Sequence, residues 1–414
     1  MVRGVTAMYR LIPLGLMAAL AACQTVPRDA GLQRVMETPA ENARCISASV
    51  MIDTDFGGGS LSSCAFDAPD HVVVQIEPED QPPINCSPWY AMRLTPLASG
   101  AKPQTLTVEL TYSACGHRYW PKISNDGKNW RRVPDDKVEI AEVDGRRRAS
   151  VTIDLAGGPL WLSGQESIQP GDTADWLGNL ARSPAADLWL LGRSAQGRDI
   201  PAMTIKAPGS SPVEQVVLVG RQHPPEVTGA IAMQVFVEEI LSDTPLAARF
   251  RERFAVTVVP MLNPDGVVLG YWRHGTGGLD LNRDWGPFTQ PETQLMQDLL
   301  ERLDRQPDRN LRLFLDFHST QRDVFYTIPD ELPTDPVMFT SQWLANLQGR
   351  MPDYAVNPDP GHNANLPTSK TYVYQTYGVP AATFEIGDET DRDLINRIGR
   401  EASRAMMETL LAGD

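Results

Sequence analysis

The pattern of apolar and polar positions changes at about residue 170 of the 414-residue chain. Before that point the apolar segments are short, and several alternate with a period of two, which is typical of strands with one buried face. The strand candidates are residues 72–76, 89–94, 106–112 and 149–153. Ser124-Asn125-Asp126-Gly127 lies between two of them, and its Asp-Gly pair favours a tight hairpin turn. The amino-terminal part is therefore predicted to be an all-β antiparallel sandwich.

After residue 170, apolar strands alternate with helical patterns. The predicted strands are residues 188–191, 200–205, 216–219, 254–259, 311–315 and 381–384. Helices are predicted after Thr228, from Thr289, where Glu292 completes a capping-box pattern, and from about Asp391 to Leu411. Strands that alternate with helices indicate an α/β domain with a mixed sheet covered on both faces. We therefore expect the sandwich at 43–165 and the α/β domain at 170–414.

The first residues predict a targeting segment, residues 1–22, followed by a linker at 23–42. Arg3 and Arg10 precede an apolar run that is too short to span a bilayer, and Leu20-Ala21-Ala22-Cys23 ends it. This ending resembles the lipobox of bacterial lipoproteins, which implies cleavage before Cys23 and a lipid on its thiol. The resemblance predicts a protein anchored on the periplasmic side of a bacterial cell envelope. The residue after Cys23 is Gln24, which favours the outer membrane over the inner. An ordinary signal peptide is the alternative.

The cysteine content agrees with export. The four remaining cysteines, Cys45, Cys64, Cys86 and Cys115, all lie in the first third of the chain, and two disulfides are expected. We prefer Cys45–Cys64 and Cys86–Cys115, because each pair closes a shorter loop, although other pairings remain open. A Cys₄ zinc site would normally show closely spaced cysteine pairs, and these are absent from the sequence. The net charge of −15 argues against nucleic-acid binding.

Candidate chemistry is found where predicted strands of the α/β domain end. His223 and Glu226 follow the strand at 216–219, His318 follows the strand at 311–315, and Glu385 follows the strand at 381–384. Loops at the carboxyl ends of sheet strands are where α/β proteins usually place their active sites. Imidazole nitrogen and carboxylate oxygen are both good zinc ligands, so these side chains could converge on one metal ion.

Taken with Arg273 and the segment Asp280-Leu281-Asn282-Arg283, this order of residues resembles the zinc metallocarboxypeptidase family. Within that family it is similar to the cytosolic-carboxypeptidase-like branch, which carries a β-sandwich before the catalytic domain. The resemblance implies an eight-stranded mixed sheet with helices on both faces. It also implies a zinc-dependent peptidase that acts on peptides, or on muropeptides, with a free C-terminal carboxylate.

The resemblance implies a role for each residue. His223, Glu226 and His318 would bind one Zn²⁺ per chain, and Glu385 would be the general base. Arg273 would stabilise the oxyanion, Asn282 and Arg283 would hold the substrate carboxylate, and Asp280 would orient His223. Lys370 falls at the position that lines the pocket for the terminal side chain, where a cation favours an acidic residue. The alternatives are a zinc amidase acting on peptidoglycan stem peptides or acyl-amino acids, and an inactive envelope-binding lipoprotein.

Overall fold

The computed structural model describes Met1 and residues 43–79, 85–97, 104–305 and 310–413. The remainder of the predicted targeting segment, Cys23 and the linker at 23–42 lie outside the described residues. In the part of the chain that is described, no helix combines the length and the apolar character needed to cross a bilayer.

The amino-terminal part contains two sheets that pack face to face. The first sheet contains, in spatial order, β1 (Arg44–Ile46), β2 (Val50–Asp53), β5 (Ala91–Pro96), β11 (Leu160–Ser163), β7 (Lys122–Ser124) and β8 (Trp130–Arg132). The second contains β3 (Ser63–Ala68), β4 (His71–Ile76), β6 (Gln104–Tyr112), β10 (Arg146–Leu155) and β9 (Val138–Val143). Alternate residues of both sheets enclose one apolar core, as the period-two pattern predicts.

This sandwich is antiparallel except where β4 and β6 meet. Those two strands run parallel, because the strand between them in the chain, β5, crosses to the other sheet. Disulfides join Cys45 to Cys64 and Cys86 to Cys115, the pairing preferred from the sequence.

The carboxyl-terminal part is built on one eight-stranded mixed sheet. Its order is β12 (Ala186–Arg193), β13 (Asp199–Ile205), β15 (Phe254–Val259), β14 (Glu214–Gly220), β16 (Asn310–Thr320), β19 (Ala381–Gly387), β17 (Val324–Tyr326) and β18 (Pro358–Asp359). The helices are α1 (Pro170–Leu180), α2 (Val227–Leu241), α3 (Pro245–Arg253), α4 (Pro264–Leu269), α5 (Pro291–Asp304), α6 (Phe339–Arg350), α7 (Ser369–Tyr377) and α8 (Arg392–Ala412).

Both faces of this sheet are buried. Successive residues of β14 point to opposite faces, so Val216 and Leu218 belong to one apolar core and Val217 and Val219 to another. The helices α2, α3, α6 and α8 contribute to the first core, and α5 and α7 to the second. A strand that is apolar on both faces therefore reads as a continuous apolar run in the sequence. The predicted fold class is confirmed.

Two local predictions were wrong. The hairpin between β7 and β8 has a five-residue loop rather than a tight turn, because Asp126 Oδ1 accepts the backbone N–H groups of Lys128 and Asn129 and widens it. The capping box of Thr289 and Glu292 does not form. Instead Glu292 is buried, and its carboxylate accepts the backbone N–H of Ala195 at 2.9 Å. A tertiary contact has replaced the local one.

The described residues from 43 onward belong to one compact unit, in which the sandwich contacts the α/β part directly. The strand β11 ends at Ser163 and α1 begins at Pro170, so the predicted boundary between residues 165 and 170 lies in their connection. The division into two domains at this point stays a prediction.

Candidate metal centre and active site

Three neighbouring parallel strands, β14, β16 and β19, supply the centre of the site. His223 and Glu226 lie in the short loop between β14 and α2, while His318 lies near the end of β16. Arg221 opens the loop in the left-handed region, with φ of 51°, and its buried guanidinium donates to the carbonyl of Pro224. This contact ties the start of the loop to Pro224, which lies between the two potential ligands.

The structure brings His223, Glu226 and His318 together. One donor atom from each lies within 4.8 Å of the others. Glu226 bridges the pair, because its Oε1 lies 2.8 Å from Nδ1 of His223 and its Oε2 lies 2.6 Å from Nδ1 of His318. The two imidazoles are buried, so their Nδ1 atoms converge in a protected place.

A carboxylate lies against the other nitrogen of each imidazole. Nε2 of His223 is 2.9 Å from Oδ1 of Asp280, the residue predicted to orient it. Nε2 of His318 is 2.9 Å from Oδ2 of Asp316, which the sequence analysis did not assign. Asp316 is fully buried and also accepts from Gln222 and Ser369. The available signal was the spacing: residues two apart in a strand point to the same face.

Glu385 lies directly beside this group. It occupies the position of β19 that pairs with His318 in the parallel register. One oxygen of its carboxylate is buried and has no hydrogen-bond partner among the described residues. Burial and, secondly, the negative charge of Glu226 raise the pKa of Glu385 to about 7. A carboxylate with such a pKa can both accept and return a proton near neutral pH.

The other predicted residues surround the centre. Arg273 donates through Nε to Oδ2 of Asp280 at 2.6 Å, which leaves its terminal nitrogens available to other partners. Asn282 is buried. Its Oδ1 accepts the backbone N–H of Ser369 at 2.9 Å, and its Nδ2 lies 3.4 Å from Nε2 of His318. Its neighbour Arg283 is exposed, so its guanidinium is accessible to a ligand.

Lys370 lies on the first turn of α7, next to Ser369. Its ammonium donates to the backbone carbonyls of Thr327 and Gly361, and the side chain is largely buried. Burial lowers the pKa of Lys370 to about 8, against the opposing charge of Asp359. The lysine is thus held by neutral carbonyl groups and is not consumed by a direct ion pair in the described residues.

The residues present fit a zinc ion. Two imidazole nitrogens and one carboxylate are a donor set that catalytic zinc sites use, with a further position left for water. Carboxylates on the outer nitrogens fix the orientation of both rings, as is usual for metal-binding histidines. His223, Glu226 and His318 are therefore the residues that would hold the ion.

Comparison with known proteins agrees with this geometry. Residues 173–397, more than half of the chain, match the family described as zinc carboxypeptidase. Cytosolic carboxypeptidase 2 of Danio rerio is 38% identical over 149 residues, which are 34% of this chain and 20% of that protein. Human cytosolic carboxypeptidase 6 is 34% identical over 136 residues, 31% of this chain and 27% of that protein. The chain thus spans only about a quarter of the length of these relatives.

The fold is similar to solved structures over most of its length. A metallo-carboxypeptidase from Burkholderia cenocepacia superposes with a TM-score of 0.72 at 19% identity, over 87% of this chain and 99% of the other. A second, described as a putative carboxypeptidase A from Shewanella denitrificans, gives 0.71 at 20% identity, over 86% and 97%. At such identities the likeness concerns the fold, and it includes the amino-terminal sheets as well as the α/β part.

Proposed function

Because this chain belongs to the zinc carboxypeptidase family, we propose that it removes C-terminal residues from peptides by hydrolysis. The observation that carries the proposal is the convergence of His223, Glu226 and His318, with Glu385 on the adjacent strand position. Zinc, when bound, would polarise the scissile carbonyl and lower the pKa of a coordinated water.

The chain's own residues supply the remaining parts of the reaction. Glu385 accepts a proton from the attacking water and delivers it to the leaving amine, which its raised pKa suits. Arg273 offers its terminal nitrogens to the negative charge that develops on the carbonyl oxygen. Arg283, which is exposed, would bind the terminal carboxylate in a bidentate manner. The side-chain amide of Asn282, the neighbouring residue, would assist Arg283. It also accepts the backbone N–H of Ser369 and so connects the site to α7.

The test is a library of peptides with different C-terminal residues, offered to zinc-loaded wild type and to Glu385→Gln. We expect release of single C-terminal residues by wild type, and a loss in kcat of at least about 10³-fold in the variant, which retains zinc. Metal content measured on the same samples separates loss of the base from loss of the ion. An enzyme with bound zinc that released no C-terminal residue would contradict the proposal.

We further propose a preference for acidic C-terminal residues. Lys370 supports it, because a largely buried ammonium that has no carboxylate partner among the described residues gains most from a substrate carboxylate. Lys370→Ala should lower kcat/KM for peptides ending in Glu by about 10- to 100-fold, and change it little for peptides ending in Leu. Lys206→Ala is the matched control, since Lys206 donates to the carbonyl of Ser210 away from the site. Equal losses on both substrates would show that Lys370 does not line the pocket for the terminal side chain.

We also propose that the enzyme acts at the bacterial cell envelope, tethered by lipid on Cys23. The support is the sequence Leu20-Ala21-Ala22-Cys23. Mass spectrometry of the mature amino terminus should find acylated Cys23, and Cys23→Ala should move the protein from the membrane to the soluble fraction. An unmodified amino terminus that results from cleavage at another position would favour the alternative, an ordinary signal peptide.

A further inference from the structure

The segment that carries Arg273 is held by the sandwich. It leaves α4 at Gly270 and forms a small hairpin, in which His274 pairs with Asp280 and the N–H of Gly275 bonds to the carbonyl of Leu279. The hairpin therefore sets two active-site residues opposite each other, Arg273 on one arm and Asp280 on the other.

Glu79, from the sandwich, makes the main polar contact with this hairpin. Its carboxylate accepts three successive backbone N–H groups: that of Trp272 at 3.1 Å, that of Arg273 at 3.0 Å and that of His274 at 3.2 Å. Three converging donors suit a full negative charge, and charge-assisted bonds of this kind are stronger than neutral ones.

Other sandwich residues add to the contact. The indole N–H of Trp272 donates to the hydroxyl of Tyr119 at 2.8 Å, and the same indole packs against a cluster that includes Trp89. The backbone N–H of Gly58 bonds to the carbonyl of Val268, in α4, at 2.9 Å. The arm that carries Arg273 thus has one side on the sandwich and the other toward the site.

The contacts continue without a gap to the proposed metal ligands. Glu79 fixes the backbone of Arg273, whose Nε donates to Asp280. Asp280 in turn lies against Nε2 of His223. A displacement of this backbone by a fraction of an ångström would move the guanidinium from the place where it meets a developing charge.

We infer that Glu79 is a positioning residue for the active site, through which the sandwich holds Arg273 in its working geometry. The inference rests on the proposed function, and it gives the amino-terminal sheets a part in the reaction. Glu79 meets Arg273 at its backbone N–H, so Glu79 acts on the reaction by placing Arg273.

The first measurement is Glu79→Gln, which keeps the shape and removes the charge, against Glu77→Gln as the control. Glu77 is two residues away and exposed. We expect kcat to fall about 10-fold or more in Glu79→Gln with KM, zinc content and melting temperature nearly unchanged, and no effect in the control. Glu79→Asp keeps the charge but shortens its reach, so an intermediate loss is expected.

The second measurement is a double-mutant cycle with Arg273→Ala. If Glu79 acts through Arg273, then Glu79→Gln should cost nothing further once Arg273 is absent. Independent roles would instead give multiplied losses in kcat, and that outcome would overturn the inference.

The third measurement needs no activity. Hydrogen exchange should be faster at the amides of residues 272–274 in Glu79→Gln than in wild type, with exchange in α2 unchanged. Unchanged protection at these amides overturns the inference even if the enzyme is active. A wild type that releases no C-terminal residue overturns the proposed function, while the exchange result still decides whether Glu79 holds the hairpin. Should Glu79→Gln fail to fold, Glu79→Asp takes its place in all three measurements.

Discussion

At the scale of single residues, the site depends on carboxylates that touch neither metal nor substrate. Asp316 is the clearest case, because its Oδ2 meets Gln222, Ser369 and His318 and all of these contacts are buried. It therefore joins the ligand loop, α7 and the third proposed ligand. A buried carboxylate surrounded by donors holds each of them in one orientation.

Asp316→Asn should weaken zinc binding about 10- to 100-fold, because a neutral amide oxygen is a weaker acceptor than a carboxylate and holds the ring of His318 less firmly. Competition with a coloured chelator measures this affinity directly. Asp330→Asn, at an exposed aspartate, is the control and should bind zinc as wild type does. Equal affinities for the two variants would mean that His318 is oriented without Asp316.

The charge of Lys370 predicts a pH dependence of specificity. Its pKa is lowered to about 8 by burial, so the free enzyme carries the cation below that pH and loses it above. Because kcat/KM reports groups of the free enzyme, its ratio for peptides ending in Glu over those ending in Leu should be constant below pH 7 and fall as the pH rises through about 8. Lys370→Arg keeps its charge over this range and should give a flat ratio. A constant ratio in wild type over the same pH range would show that the charge of Lys370 does not cause the preference.

At the scale of elements, the site is placed by the close approach of α2 to β16. A Cβ on Gly229, in the first turn of α2, would lie 2.3 Å from the carbonyl oxygen of His318. The same turn is bonded to β16, since the N–H of Gly229 donates to the hydroxyl of Ser319 at 2.9 Å. Only a glycine allows the helix that follows Glu226 to lie on the strand that carries His318.

Gly229→Ala should push these two elements apart. We expect a loss of about 1–3 kcal/mol in the free energy of unfolding, from overpacking against backbone, together with weaker zinc binding. Gly178→Ala is the matched control. Gly178 is a solvent-exposed residue of α1, and a Cβ there would meet nothing within 4 Å. That change should stabilise the protein by up to about 1 kcal/mol through helix propensity. Chemical denaturation of both variants checks the opposite signs, and a stabilised Gly229→Ala would contradict the close approach.

The sequence predicted elements well where burial alone decides them. The runs at 216–219 and 254–259 became β14 and β15, because strands buried on both faces are apolar throughout. It failed where a distant contact replaces a local one, as when Glu292 turned from its predicted cap to Ala195. Likewise, His223, Glu226 and His318 could be proposed from strand ends, but the contacts of Glu79 with residues 272–274 join parts of the chain that no local pattern relates.

At the scale of the whole molecule, buried and half-buried charges join the sandwich to the α/β part. Arg118 donates through Nε to Asp388 at 2.7 Å, and Lys122 lies 3.1 Å from the carboxylate of Glu389. Both acidic residues follow β19, the strand of Glu385. The sandwich is therefore anchored just beyond the proposed base, as well as at the hairpin of Arg273. This double attachment explains why the two parts form one unit.

Asp388 should make this joint sensitive to pH. Burial raises its pKa from 3.8 to about 6, although the charge of Arg118 opposes the shift. The folded state thus binds the proton more tightly than the unfolded state, so the stabilising contribution is complete below about pH 4 and is lost as the pH rises through about 6. A shift of this size corresponds to about 3 kcal/mol.

Comparison with Asp388→Asn isolates that contribution, because the amide does not titrate. With chelator present, so that metal release plays no part, the unfolding free energy of wild type minus that of the variant should fall by up to about 3 kcal/mol from pH 4 to pH 7. Urea denaturation at several pH values measures the difference. Arg118→Met, which removes the opposing cation, should raise the pKa of Asp388 further, so the decline measured in that background should be larger and should continue above pH 6. A difference that stays constant with pH would show that Asp388 ionises in the folded protein as freely as in the unfolded chain, with the charge of Arg118 offsetting its burial.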